Sequence, residues 1–206
     1  MVWDVLNVIG TIAFAISGAI IAMEVKYDII GAYALGLITA FGGGAVRNLL
    51  IGIPIHVLWQ QTTLFIIAMI TITIVFLLPN KTVNRLKEWD FLNFFDAVGL
   101  SAFAIQGAMF AHANGLPIIA IMFSAAITGA GGGIIRDVLA QQKPLVFQKE
   151  VYLFWAMFAG LIIGMGWAEK PYQLYSLFAI ILLLRVISYR FGWSLPSRAV
   201  SKLQGN

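Results

Sequence analysis

Residues 41–48 read FGGGAVRN, and residues 130–137 read AGGGIIRD. Each places three glycines, then two residues, then an arginine inside otherwise apolar sequence. Glycine weakens a helix by about 1 kcal/mol relative to alanine, and arginine is costly within a bilayer. The two octets lie 89 residues apart, and the echo extends well beyond them. IGTIAFAISGA (9–19) aligns with VGLSAFAIQGA (98–108) at the same shift, and Ile38 and Thr39 align with Ile127 and Thr128. The alignment runs without a gap across the intervening residues, so the chain contains an internal duplication.

The surrounding composition sets the solvent. Of 206 residues, 61% are hydrophobic and 11% charged, and the mean hydropathy is +0.92. A water-soluble domain covers its surface with more charge than this. Long apolar runs separated by short polar clusters indicate an all-α membrane protein, because only helices and closed barrels satisfy their backbone in lipid and these runs lack a barrel's alternation. Seven runs are marked, at about 4–23, 29–51, 61–78, 92–111, 117–139, 151–168 and 173–190. They form one transmembrane domain over 1–206. Repeat one covers about 4–78, repeat two about 92–168, and a seventh helix about 173–190. The first run has no basic residue before it and no cleavage-like pattern after it, so it is read as a permanent span.

Each repeat holds three spans, an odd number, so the second copy enters the membrane from the opposite face. The halves are then inverted about an axis in the membrane plane. Basic residues give the direction. With the N-terminus outside and the C-terminus inside, 11 of the 13 lysines and arginines fall on the inner side, among them Lys26, Lys81, Arg85, Lys87, Lys143, Lys149, Arg185, Arg198 and Lys202. Arg47 and Lys170 remain outside. The aromatic belt is drawn from Trp59, Trp89, Trp155, Trp167 and Trp193.

The triplets Gly42, Gly43, Gly44 and Gly131, Gly132, Gly133 have two readings. A broken helix in each inverted half is the signature of a translocation site, with bare carbonyls or a hinge on the path. Glycines also let helices pack closely. Arg47 and Arg136 either guard the two mouths of a path or snorkel to the interface. Asn48 and Asp137 follow them directly. Adjacent helix positions point apart, so Arg136 and Asp137 are expected to seek different partners. Ser17 and Gln106 occupy equivalent positions, as do Asn7 and Asp96. Ser17, Gln106, Thr39, Thr128, Ser124 and Asp96 are the polar groups available to a path, although hydroxyls in such helices commonly bond to their own backbone. Asp96 is an available partner for an arginine.

There is no cysteine, which excludes disulfides and thiol chemistry. His56 and His112 belong to different loops, and no metal set is expected. No nucleophile, base and metal constellation is present, so the chain does not read as an enzyme. The net charge of +4 follows from membrane topology, and no nucleic-acid partner is inferred. Small residues Gly107, Ala108, Ala111, Ala125 and Ala126 suit close helix contacts, within a protomer or between protomers.

The doubled Gly-Gly-Gly-x-x-Arg motif, the three-helix repeats and the seventh helix together resemble the prokaryotic relatives of the trimeric intracellular cation (TRIC) channels, also labelled a glycine-transporter-domain family. The resemblance covers about residues 4–190. It implies a homotrimer with one pore per protomer, second and fifth helices kinked at the triplets and lining that pore, potassium-permeable conduction of monovalent cations, and lipid between subunits. No cofactor is implied. The implied address is a bacterial plasma membrane. The alternative is a secondary transporter of a small solute such as glycine, built on the same inverted repeat. Asn48, where the second copy has Asp137, departs from the acidic pattern and leaves the first half differently balanced.

Overall fold

In the computed structural model, described for residues 2–79, 81–83, 85, 91–147 and 151–193, the protein is all-helical. The helices are α1 (Val2–Glu24), α2 (Ile29–Leu50), α3 (Thr62–Phe76), α4 (Phe91–Ala113), α5 (Ile118–Leu139), α6 (Tyr152–Gly164) and α7 (Pro171–Arg190). Short 3-10 segments, Ile55–Gln60 and Leu145–Phe147, follow α2 and α5. Lys87, Trp89, Lys149, Arg198 and Lys202 lie outside the described residues.

Five helices, α1, α2, α4, α5 and α7, are long and apolar enough to cross a membrane. The runs at 61–78 and 151–168 are shorter than expected, 15 and 13 residues in α3 and α6. The chain chemistry accounts for both ends. Pro79 has no amide to continue α3, and α6 stops at a left-handed Gly166 (φ 73°) whose following amide, that of Trp167, bonds back to the Ile162 carbonyl.

The duplication is visible in the backbone. The α1–α2 turn has Lys26 at φ 60°, with the Tyr27 amide bonded to the Ala22 carbonyl. The α4–α5 turn has Gly115 at φ 68°, with Leu116 bonded to Ala111. Gly52 (φ 75°) closes α2, and its equivalent Gln141 (φ 56°) closes α5. The two copies therefore turn at the same places, with glycine in one and a side chain in the other.

Two apolar clusters form the core, one mainly in each repeat. Phe14, Ile20, Ile21, Leu35 and Ile72 anchor the first, and Leu100, Ile105, Ile121 and Ile163 the second, where Leu174, Leu177 and Ile181 of α7 join it. Gly107, Ala108, Ala111, Ala125 and Ala126 are all buried inside the protomer. Their smallness serves contacts within the chain.

The halves meet through reciprocal contacts. Phe14 and Phe103, equivalent residues, lie with ring centroids 5.3 Å apart. Gly99 leaves room for Phe14 and Gly10 for Phe103. Reciprocity of this kind is what a two-fold relation between like surfaces produces.

Candidate functional site

The glycine triplets lie where α2 crosses α5. Both helices run unbroken through them, so the expected helix breaks are absent. Gly43 and the whole second triplet are buried, Gly42 and Gly44 are partly buried, and the missing side chains are used for proximity. A Cβ on Gly43 would stand 2.4 Å from the Thr128 carbonyl oxygen, and one on Gly132 would stand 2.0 Å from that of Thr39. A Cβ on Gly131 would lie 3.0 Å from the Gly43 Cα. Gly42 faces the end of the Ile135 side chain.

The third glycine of each triplet does something different. A Cβ on Gly44 would have the Arg47 Nη2 as its near neighbour, at 3.7 Å. On Gly133 it would face Asp96, Tyr152 and Arg136 at 3.3, 3.5 and 3.8 Å. The middle glycines thus bring the helices together, and the last ones open space beside the arginines.

Around Arg136 that space is filled by a charge cluster. Arg136, 1% exposed, donates from Nη1 to Asp96 Oδ1 at 3.1 Å and to Ser17 Oγ. Its Nε and Nη2 reach Asp137 Oδ1 at 2.8 and 2.7 Å. The expectation that Arg136 and Asp137 find different partners is therefore corrected. The arginine side chain is long enough to fold back over the adjoining position, and its fork spans both carboxylates. Tyr152, from α6, donates its hydroxyl to Asp96 Oδ2. The Arg185 guanidinium, from α7, lies 4.3 Å from the Tyr152 ring centroid. Asp137 Oδ2 also accepts from the Leu145 amide at 3.0 Å, which ties the segment after α5 to the cluster. Two arginines and two aspartates, each nearly out of water, gather here.

Arg47 repeats the local geometry with different chemistry. Its Nε and Nη2 donate to Asn48 Oδ1 at 3.1 and 2.9 Å, and the guanidinium lies 4.3 Å from the Phe110 ring centroid. Beside it a narrow depression of about 30 Å³ is lined in its polar part by Trp3, Asn7, Arg47, Gln61, Gln106 and Thr128. Gln106 donates to the Trp3 carbonyl at 3.4 Å. Arg47 is 6% exposed, so neither duplicated arginine extends to water as a snorkelling side chain does.

The remaining polar residues serve the helices. Thr39 and Thr128 each bond back to the carbonyl four residues earlier, at 2.6 Å, and Ser124 donates across to the Gly107 carbonyl at 2.8 Å. Their carbonyls and hydroxyls are what Gly43, Gly132, Gly18 and Gly107 approach. His56 and His112 are exposed. Among the described residues no cluster of His, Cys, Asp and Glu has the makings of a metal site.

Sequence reasoning missed Tyr152 and assigned Arg185 only to the inner charge count. Arg185 gives a signal in hindsight: it stands five residues inside the end of α7, more than one turn deeper than Arg190. Tyr152 gives none, because its equivalent in the first repeat is Thr63.

A family model described as Glycine transporter matches twice, over residues 4–80 and 93–168, which are the two repeats. The membrane protein YvgT of Bacillus subtilis, of the UPF0126 group, is 54% identical over 97% of this chain and 98% of its own length. A solved structure described for conductance through TRIC cation channels is 34% identical, with a TM-score of 0.82 and coverage of 98% and 99% of the two chains. The TRIC trimeric intracellular cation channel orthologue from Rhodobacter sphaeroides is 28% identical, with a TM-score of 0.81 and coverage of 93% and 98%.

Proposed function

Because the chain belongs to the glycine-transporter family, which shares its fold with the prokaryotic TRIC channels, we propose that it is a monovalent cation channel rather than an enzyme. In this reading it is potassium-permeable, resides in a bacterial plasma membrane, and assembles as a homotrimer with a pore in each protomer. Cations permeate, and lipid fills the spaces between subunits. The solved relatives are TRIC cation channels, and their likeness over nearly the whole chain supports the class.

One observation carries the path. Inside an apolar protein, polar side chains line up along the α2–α5 crossing. The Arg47 depression opens on one side, Thr39 and Thr128 stand at the glycine contact, and Ser17, Asp96, Arg136 and Asp137 lie on the other. In lipid such groups are expensive unless they serve a path or a gate. The depression is open while the opposite half is filled by the charge cluster, so the conformer reads as closed at Arg136. Gly43 and Gly132 hold the two lining helices together, and Gly44 and Gly133 leave room for the gating side chains.

The proposed topology has all seven helices of one domain in the membrane, N-terminus out, with α3 and α6 as short members of two inverted repeats. The basic residues support that direction, and the reciprocal contacts support the two-fold relation.

The second reading is a transporter of a small solute. The family description names glycine, and a cavity open to one side suits alternating access. Purified protein in planar bilayers under a potassium gradient separates the two. Unitary currents reversing near the potassium potential are the result expected here. Silent bilayers with saturable glycine uptake into liposomes would replace the channel by the transporter.

A further inference from the structure

The two arginine sites occupy equivalent places, but their charges differ. Arg136 touches Asp96 and Asp137; the positions 89 residues earlier are Asn7 and Asn48. One contact is shared by the halves. In each, Nε and Nη2 of the arginine bond the Oδ1 of the next residue. An amide oxygen accepts those hydrogen bonds without supplying a charge. None of the residues lining the Arg47 depression is acidic. Asp4, one turn from Asn7 along α1, is exposed and does not line it. A nearly buried guanidinium therefore faces amides and rings where its equivalent faces two carboxylates. A buried charge without a counter-charge is strongly unfavourable.

We propose that the Arg47 depression is a binding site for a small monovalent anion. The missing carboxylate is supplied from solution. Arg47 provides the charge, and the amide groups of Asn7, Gln61 and Gln106 and the Trp3 indole offer donors around the opening. Halides and simple carboxylates share the required size and charge. The Arg136 cluster carries its own acids and needs no such ion. This site goes beyond the conduction reading, and its occupancy is measured by stability, so silent bilayers would leave it standing.

The test uses the full-length protein in detergent, melted at fixed potassium concentration and ionic strength. The background salt is potassium gluconate, whose anion is too bulky for the depression; chloride, formate or glycine is titrated in. A ligand held only by the folded state raises the melting temperature in a saturable way. The wild type is expected to respond to chloride and formate. A response to glycine but not to chloride or formate would overturn the site, since glycine is a net-neutral zwitterion and supplies no counter-charge. Asn48→Asp places a carboxylate on Arg47 where Asp137 sits on Arg136. It is expected to melt in gluconate at least as high as wild type and to lose the anion response. Arg47→Gln is expected to lose it too, whereas Lys81→Gln, at an exposed cation, is expected to keep it. An unchanged wild-type melting temperature in every salt would overturn the site. So would a response that survives intact in Asn48→Asp, since that marks a general salt effect.

Discussion

Substituting alanine along one triplet should give opposite results at neighbouring positions. At Gly43 the added Cβ would stand 2.4 Å from the Thr128 carbonyl, and at Gly132 2.0 Å from that of Thr39. Ordinary contact begins near 3.4 Å, so α2 and α5 must separate by about 1.0 Å for Gly43→Ala and about 1.4 Å for Gly132→Ala. Neither opposing atom is a flexible side-chain end; both are backbone of the facing helix. Forced overpacking of this kind costs about 1–3 kcal/mol. Alanine recovers about 1 kcal/mol of helix propensity, which does not offset the upper part of that range. Gly43→Ala and Gly132→Ala should therefore lower stability by up to about 2 kcal/mol each, less than additively, because the first change already moves the helices apart. Gly44 is the internal comparison. Its Cβ would meet Arg47 Nη2 at 3.7 Å, an ordinary contact, so Gly44→Ala should be neutral or stabilising by up to about 1 kcal/mol. Melting curves of the three single variants and the Gly43→Ala/Gly132→Ala double variant, in one detergent, give the order. Equal melting temperatures for Gly43→Ala and Gly44→Ala would refute the assignment of the middle glycines to the crossing.

Removing one charge from the Arg136 cluster should be severe. Asp96→Asn removes one of the two carboxylates that Arg136 contacts and is expected to cost about 3–5 kcal/mol, with the Asp96→Asn/Arg136→Gln pair melting higher than Asp96→Asn itself. Tyr152→Phe keeps the ring under Arg185 and deletes only the hydroxyl bond to Asp96, so about 1.5–3 kcal/mol is expected, read from the same melting curves. The cysteine-free sequence makes topology directly measurable. Trp59→Cys should react with an impermeant maleimide added outside intact cells and Lys81→Cys should not; the reverse pattern would invert the proposed orientation.

The duplication was legible because identical residues recur at one fixed shift, and the same shift recurs in the folded backbone. Lys26 and Gly115, and Gly52 and Gln141, share their left-handed turns although nothing in their side chains announces it. The triplets were legible as special but not in their division of labour. A sequence shows that three side chains are missing; it does not show which missing side chain faces a carbonyl and which faces a guanidinium. That depends on the rotation of α2 against α5. Helix continuity was misjudged for the same reason. Propensity counts each glycine against the helix, whereas enclosure by Thr39, Thr128 and the facing triplet restores the environment in which helical bonds are kept.

The charge difference between the halves was partly visible, since Asn7 against Asp96 and Asn48 against Asp137 are mismatches in an otherwise close repeat. What the alignment could not give is that both mismatches converge on one guanidinium. Asp96 comes from α4 and Asp137 from α5, 41 residues apart in the chain, and the packing of α4 against α5 within the second repeat brings both to Arg136. Had the acids been divided between the halves, each arginine would hold one partner and the two sites would be alike. Concentrated in one half, they give a self-neutralised cluster at Arg136, which α6 and α7 reinforce through Tyr152 and Arg185, and a net positive depression at Arg47. A chain that began as two equal halves thus has unequal ends along one line of polar residues. On the proposed path an ion would meet a fixed positive charge at one end and a compensated pair at the other. Conduction through it should therefore depend on the direction of the driving force.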